Sequence, residues 1–553
     1  MHRSSSVYLT ALVLALAPAC GQQGDAFEPS SPGSDGSSDS DDENNDDASN
    51  DNDDDDDSGT SDGLAQEDGG GSDSPWDPGP HWMGIAIDAV TANQGVGITI
   101  GDGGSGIPSG DRTAPIVAGR PMLVRATWFI VGDWDPREIE ARLTLTDAQG
   151  NEETFIDAMV IDGDADLTSL DGTFAWSLTA EQVRPGLQYR VELLDHRQPA
   201  EDIHVSSLPA DGGDAPVGIP DGEHVIRVVV VPFAYDDGDG CSTLADTSEE
   251  TLQAFHTQLY SQNPVDTVEI VAREPIAYDG PLDNISDALA DVVALRFADN
   301  ASSETYYYGL IDTCSGEDGV GGVTGMAFGI PSDPTAPGAA AERTAIGVWT
   351  GLESASQIFV HEIGHSQGRY HVACGGPTGV DPDYPGPAGD IVDWGYGVLD
   401  HALRDPGHKD YMTYCGPQWV SAFGWNKTHA TIEALGDSGE EGDGAQAPIG
   451  EESDLLVVGM ISPDGAERWM IVPGTMDTYA ADPGLAIELT IGDIVVSSPA
   501  HKHTVADGDA TVVIAALPEG GREASDLTRV DHGRRVEVPR ASVRDFRDLR
   551  ETD

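Results

Sequence analysis

Lysine is almost missing from this chain. Only Lys409, Lys427 and Lys502 occur among 553 residues, and Lys plus Arg total 27 against 98 Asp plus Glu. The formal net charge is −71. An early tract, Asp25 to Asp77, contributes 20 carboxylates and no basic residue, and removing those 20 from −71 still leaves −51. A body this acidic repels phosphate backbones and anionic lipid headgroups, which excludes nucleic acid and charged membrane surfaces as partners. Aromatic residues are also few, at 6% of the chain, a proportion that implies a sizeable stretch outside any packed core. Long apolar runs are missing too. Val7 to Ala17 is far short of the roughly 20 residues a spanning helix needs.

That short run has another reading. Met1-His2-Arg3, the apolar stretch and Ala17-Pro18-Ala19-Cys20 follow the order of an export signal, basic then apolar then small. Cys20 directly after small residues resembles a bacterial lipobox, and that resemblance implies lipidation of its thiol. The only membrane contact expected is this N-terminal lipid anchor, on an outer-membrane or cell-surface protein or one released outside the cell. Cysteine usage fits export. Besides Cys20 there are Cys241, Cys314, Cys374 and Cys415, an even set in an oxidising compartment, with three possible pairings.

Composition divides the chain. Residues 1–20 are the signal peptide. Residues 21–80, rich in Ser, Asp, Asn and Gly with the run Asp53 to Asp57, read as a disordered acidic tether. Its carboxylates make calcium conceivable, but no loop of ligand spacing indicates it. Residues 81–208 carry short strands, among them Ile116-Val117, Met122 to Val131, Ile139 to Leu145 and Tyr189 to Leu194, separated by turns. This spacing predicts an immunoglobulin-like β-sandwich. Phe129-Ile130-Val131-Gly132-Asp133 is a strand end. Residues 209–436 alternate strands (Val225 to Pro232, Val268 to Val271, Tyr306 to Ile311, Ala345 to Trp349) with helices (Ser248 to Gln262, Ile285 to Phe297, Ala355 to Gly364). That alternation predicts a mixed α/β sheet domain. Residues 437–553 open with a linker, Asp437 to Glu452, and continue as a small β domain with a partly basic tail from about Arg534.

The chemistry concentrates in His361-Glu362-Ile363-Gly364-His365-Ser366-Gln367-Gly368-Arg369-Tyr370-His371. Positions four apart share a helix face, so His361 and His365 can offer nitrogens to one metal ion. Zinc takes imidazole nitrogens at about 2.0–2.1 Å. Glu362, next to the first ligand, is placed to take a proton from attacking water and pass it to a leaving amine. A third ligand six residues after His365 requires the helix to stop, and Gly368 accepts the positive φ such a turn needs. His371 then completes three ligands, with the fourth position left open.

This string resembles the long zinc signature of the metzincin clan of metallopeptidases. The resemblance implies an α/β (α+β) catalytic domain with a mixed twisted sheet and an active-site helix, here flanked by β-sandwich-like domains. It implies one catalytic Zn2+, a protein or peptide substrate, and endopeptidase activity. It also implies a methionine turn beneath the metal, for which Met412 in Asp410-Tyr411-Met412-Thr413-Tyr414-Cys415 is the candidate, and a catalytic role for Tyr414 two residues on. The strand ahead of the helix, Ala345 to Trp349, is expected to pair with substrate. Because the third-ligand loop and the methionine turn meet below the metal in that clan, the resemblance favours Cys374–Cys415, leaving Cys241–Cys314. Gln367 and Arg369 stand where many relatives carry apolar residues. The alternative reading is a non-catalytic surface adhesin on a metalloprotease scaffold, against which the intact Glu362 argues. The sequence carries no sign of oligomeric state.

Overall fold

Alternation decides the first region. Along Arg137–Thr146 the buried apolar residues are Ile139, Ala141, Leu143 and Leu145, every second position, so one face of the strand lies inside. The structure is a computed structural model that describes residues 84–196, 204–336, 339–440, 455–476, 479–505 and 510–545, all within the unit Asp73–Asp553. The export signal, Cys20, the acidic tether, and the linker beyond Glu440 lie outside the described residues.

Two antiparallel sheets form this region. One runs Ser105–Gly106, Gly97–Asp102, Ile85–Asn93, Met122–Ile130, Phe174–Leu178. The other runs Ala215–Pro216, Gln188–Leu194, Arg137–Thr146, Glu152–Ile161, with His204–Leu208 also on Gln188–Leu194. Buried Tyr189 crosses between them, donating its hydroxyl to the Ile100 carbonyl at 2.9 Å. Ile116-Val117 is not a strand. It is a buried loop, fixed where Val117 N–H donates to Gln94 Oε1 and Trp425 donates to the Pro115 carbonyl. Burial made this apolar pair look like strand, but its backbone bonds go to side chains.

The central sheet is mixed. Its order is Ser242–Leu244, Val225–Asp236, Thr305–Ile311, Thr344–Val348, Gly325–Ala327, and Thr267–Ala272 and Ile276–Asp279 also lie parallel to Val225–Asp236. Only the short strands Ser242–Leu244 and Gly325–Ala327 run antiparallel. One face is covered by helices Glu249–Gln262 and Leu352–Ser366, which meet where Phe255 stacks on Phe359 with ring centroids 4.4 Å apart. Helix Ile285–Ala298 covers the other face. It is buried on nearly every position, because it is wedged between this sheet and the C-terminal strands.

The C-terminal sheet has eight strands, ordered Arg534–Val538, Asp526–Asp531, Leu485–Ile491, Ile494–Thr504, Thr511–Ala516, Leu455–Ile461, Glu467–Pro473, Val543–Asp545. The expected tail is therefore part of the sheet as far as Asp545. Its arginines pair with the acidic body: Arg535 with Glu488, and Arg544 with Asp291 of the wedged helix. Likewise helix Ala422–Glu440 continues through the first residues of the expected linker. Among the described residues no helix is long and apolar enough to cross a membrane.

Candidate metal centre

Helix Leu352–Ser366 buries Ala355, Phe359, Val360 and Ile363, which fixes its rotation and turns His361 and His365 to one side. The helix ends in a Schellman motif. Arg369 N–H donates to the Gly364 carbonyl (3.0 Å) and Gly368 N–H to that of His365 (2.9 Å). Gly368 has φ +85, and a Cβ there would stand 2.8 Å from the Pro331 carbonyl oxygen, so glycine is required twice over. The chain reverses and His371 comes back to the other two histidines.

All three imidazoles are oriented by main chain. His361 Nδ1 bonds the Tyr411 carbonyl (2.8 Å), His365 Nδ1 that of Arg369 (2.7 Å), and His371 Nδ1 that of Thr378 (2.5 Å). A carbonyl can only accept, so each Nδ1 carries the proton and each Nε2 presents a lone pair. Nε2 of His365 and Nε2 of His371 are 3.2 Å apart, and one ligand atom from each of the three rings lies within 4.8 Å of the others. Two lone pairs that close repel unless a cation lies between them. Tetrahedral zinc with nitrogens at about 2.0–2.1 Å would set them about 3.3–3.4 Å apart. The donor set thus fits a metal ion, and the sequence-derived ligands His361, His365 and His371 are brought together.

Glu362 is buried beside them, so close that a Cβ on Gly325 would lie 2.3 Å from its Oε1. Tyr308, which the sequence marked only as strand, is a neighbour of this carboxylate. Burial, then the Glu362 charge, raises the Tyr308 pKa well above its usual value, so the phenol keeps its proton. Below the rings, buried Met412 packs on the helix at Gly364, where a Cβ would stand 2.5 Å from the Met412 sulfur. Asp410 holds that turn. Its Oδ1 accepts from Met412 N–H (2.9 Å) and from Arg369 Nη2 (3.0 Å), and its Oδ2 accepts from Ser421. Burial alone pushes the Arg369 pKa down, Asp410 with Tyr411 and Tyr384 pushes it up, and the net is upward. Arg369, one of the two residues that depart from the resemblance, is the buried partner of the turn at Met412. A charge beside the metal string and an Asp two residues before Met412 were the available signal.

The third-ligand loop and the methionine turn pair through Val372 N–H to Met412 O (2.9 Å) and Tyr414 N–H to Cys374 O (3.1 Å). Disulfide Cys374–Cys415 joins them, and Cys241–Cys314 joins the upper region. Tyr414 is 51% exposed with its hydroxyl 3.2 Å from His371 Nε2. It lines a cleft of about 440 Å³ together with His361, Glu362, Gln357, Thr324 and Gly325. The sheet edge at this cleft is Gly325–Ala327. Thr344–Val348, expected to meet substrate, is already paired on both sides, with Thr305–Ile311 and Gly325–Ala327. A three-residue strand without alternation gives no sequence signal, which is why the edge was assigned one strand too far in.

No family model and no curated protein matches the chain. Among solved structures it is similar, at 10% identity, to a calcium-binding mutant of Bacteroides uniformis beta-glucuronidase 2, over 41% of this chain and 24% of that one, with TM-score 0.15. At 9% identity it is similar to a Paenibacillus sp. cycloisomaltooligosaccharide glucanotransferase complexed with cycloisomaltoheptaose, over 81% and 72%, with TM-score 0.16. The chain spans about a quarter of the length of the first. Scores this low carry no argument about fold or chemistry.

Proposed function

We propose that this chain is a zinc-dependent endopeptidase of metzincin type, exported and acting on external proteins. The observation that supports it is the convergence of three Nε2 lone pairs, each fixed by an Nδ1 bond to main chain, beside the buried carboxylate Glu362. When bound, zinc supplies Lewis acidity at the scissile carbonyl and brings the pKa of water toward about 7. Glu362 accepts the proton of the attacking water and returns it to the leaving amine. Tyr414, on the open side of His371, donates its hydroxyl to the carbonyl oxygen as charge gathers there. Gly325–Ala327 offers a sheet edge along which an extended peptide adds as a further strand. Two disulfides suit an oxidising compartment, and lipidation at Cys20 would hold the protein at the cell surface.

The test measures metal content and cleavage of a denatured protein mixture together, for the chain and its Glu362→Ala variant. Zinc in both with cleavage only by the unchanged chain supports the reading. Zinc in both with cleavage by neither favours a binding protein on the same scaffold. No zinc in either removes the basis of the proposal.

A further inference from the structure

A second cluster of metal-ligating side chains lies away from the histidine string. His224 stands immediately before strand Val225–Asp236. Its backbone is pinned on both sides by Asp266: His224 N–H donates to Asp266 Oδ2 (2.7 Å), and Asp266 N–H donates to the His224 carbonyl (3.0 Å). His429 and Glu433 are four apart on helix Ala422–Glu440 and so share a face. The two imidazoles approach to 4.6 Å between centroids, tilted 30°, and Glu433 Oε2 is 3.3 Å from His429 Nδ1. One donor atom from each of the three residues lies within 4.8 Å of the others.

What sets this cluster apart from ordinary core histidines is its hydrogen bonding. His224 is 2% exposed and His429 5%. Neither ring nitrogen of His224, nor Nε2 of His429, has a hydrogen-bond partner among the described residues. Buried polar atoms are nearly always satisfied, so unpartnered nitrogens on two adjoining buried rings beside a carboxylate mark a missing partner. Burial lowers the pKa of both rings, that of His429 to about 4, so both are neutral, with lone pairs to give, at neutral pH. Glu433 is 49% exposed, and a cavity of about 940 Å³ opens beside it, where Asp221, Glu223, Glu304 and Glu433 outnumber Arg184 and Arg227.

We propose that His224, His429 and Glu433 hold a second divalent ion of the zinc class. Imidazole and carboxylate are both ligand types that such ions take. The ion would clamp the start of the central sheet to helix Ala422–Glu440. The same helix braces the first centre: Thr431 Oγ1 donates to the Gln367 carbonyl at the end of the histidine helix (2.9 Å), and Lys427 pairs with Asp381, whose N–H bonds the His371 carbonyl.

The experiment removes the first centre and counts what remains. The full chain carrying His361→Ala and His365→Ala is dialysed against zinc, then against a weak chelator, and its metal content measured. One zinc per chain is expected, falling to none when His429→Ala is added. A Glu433→Gln change, on the half-exposed side, should weaken zinc binding at least tenfold while leaving the melting temperature in strong chelator unchanged, which separates lost ligation from lost folding. Failure of the double variant to retain zinc, or retention of the same zinc after His429→Ala, as surface carboxylates alone would give, overturns the proposal. So does unchanged affinity in Glu433→Gln. None of these readings depends on peptide cleavage, so the outcome stands whatever becomes of the catalytic proposal.

Discussion

Glu362 and Gly364 sit one residue on either side of Ile363, between the two helical histidines, and do opposite things. Glu362 brings a charge into a buried place, and Gly364 brings nothing so that Met412 can approach. On the proposed reading, replacing Glu362 by Gln keeps the shape and removes the base. The expected result is a loss of about 10²–10⁴-fold in kcat/KM at unchanged zinc content, read from parallel kinetics and metal analysis. Gly364→Ala forces a methyl to within 2.5 Å of the Met412 sulfur. Overpacking of this kind costs about 1–3 kcal/mol, to be seen as a lowered denaturant midpoint with unchanged slope.

At the scale of elements, the site is a helix end, a loop and a turn joined by one buried ion pair. Asp410→Asn leaves the Arg369 guanidinium enclosed without its counter-charge. Removing one partner of a buried pair costs about 3–5 kcal/mol, measurable by chemical unfolding, and zinc affinity should fall with it because the Met412 turn loses its anchor. Which elements were legible in the sequence follows from how local their causes are. The histidine helix and its stop are set by a four-residue spacing and one glycine, so His361, His365, Gly368 and His371 could be read directly. The Arg369–Asp410 pair spans 41 residues and the edge strand Gly325–Ala327 has no periodicity, so neither could. Ile116-Val117 and the Arg534 segment misled in opposite ways. One was an apolar pair held in a loop, and the other a charged segment whose Val536 and Val538 still alternate into a strand.

Across the whole molecule, charge and protons set the conditions of stability. With −51 net charge left once the Asp25–Asp77 tract is set aside, the rest of the chain repels itself, so raising NaCl from about 10 mM to 1 M, where the Debye length falls to about 3 Å, should raise the melting temperature by several degrees. Acid acts through particular groups. His503, on the C-terminal sheet, packs edge-on against Phe328 and meets its carbonyl at 3.3 Å. Burial, opposed by that carbonyl and reinforced by His501, lowers its pKa to about 4. The unfolded chain takes a proton near pH 6.5, and the folded chain refuses it until about pH 4, so this contribution is complete above 6.5 and is lost as pH falls between those values. It amounts to about 3 kcal/mol. In unfolding midpoints measured from pH 7.5 to 4, His503→Gln should show a visibly shallower decline than the parent chain.

The bond between Cys374 and Cys415 also says something about time and place. Before oxidation, the loop bearing His371 and the turn bearing Met412 are held to each other by two backbone hydrogen bonds and whatever the surrounding packing lends. In a reducing space the loop bearing His371 and the turn bearing Met412 lack this covalent link, and in an oxidising space they gain it. On the proposed reading of an exported endopeptidase, the covalent link would work as a postmark: the centre would be finished only after the protein has left the cell that made it, and the cell's own proteins would be spared in the interval.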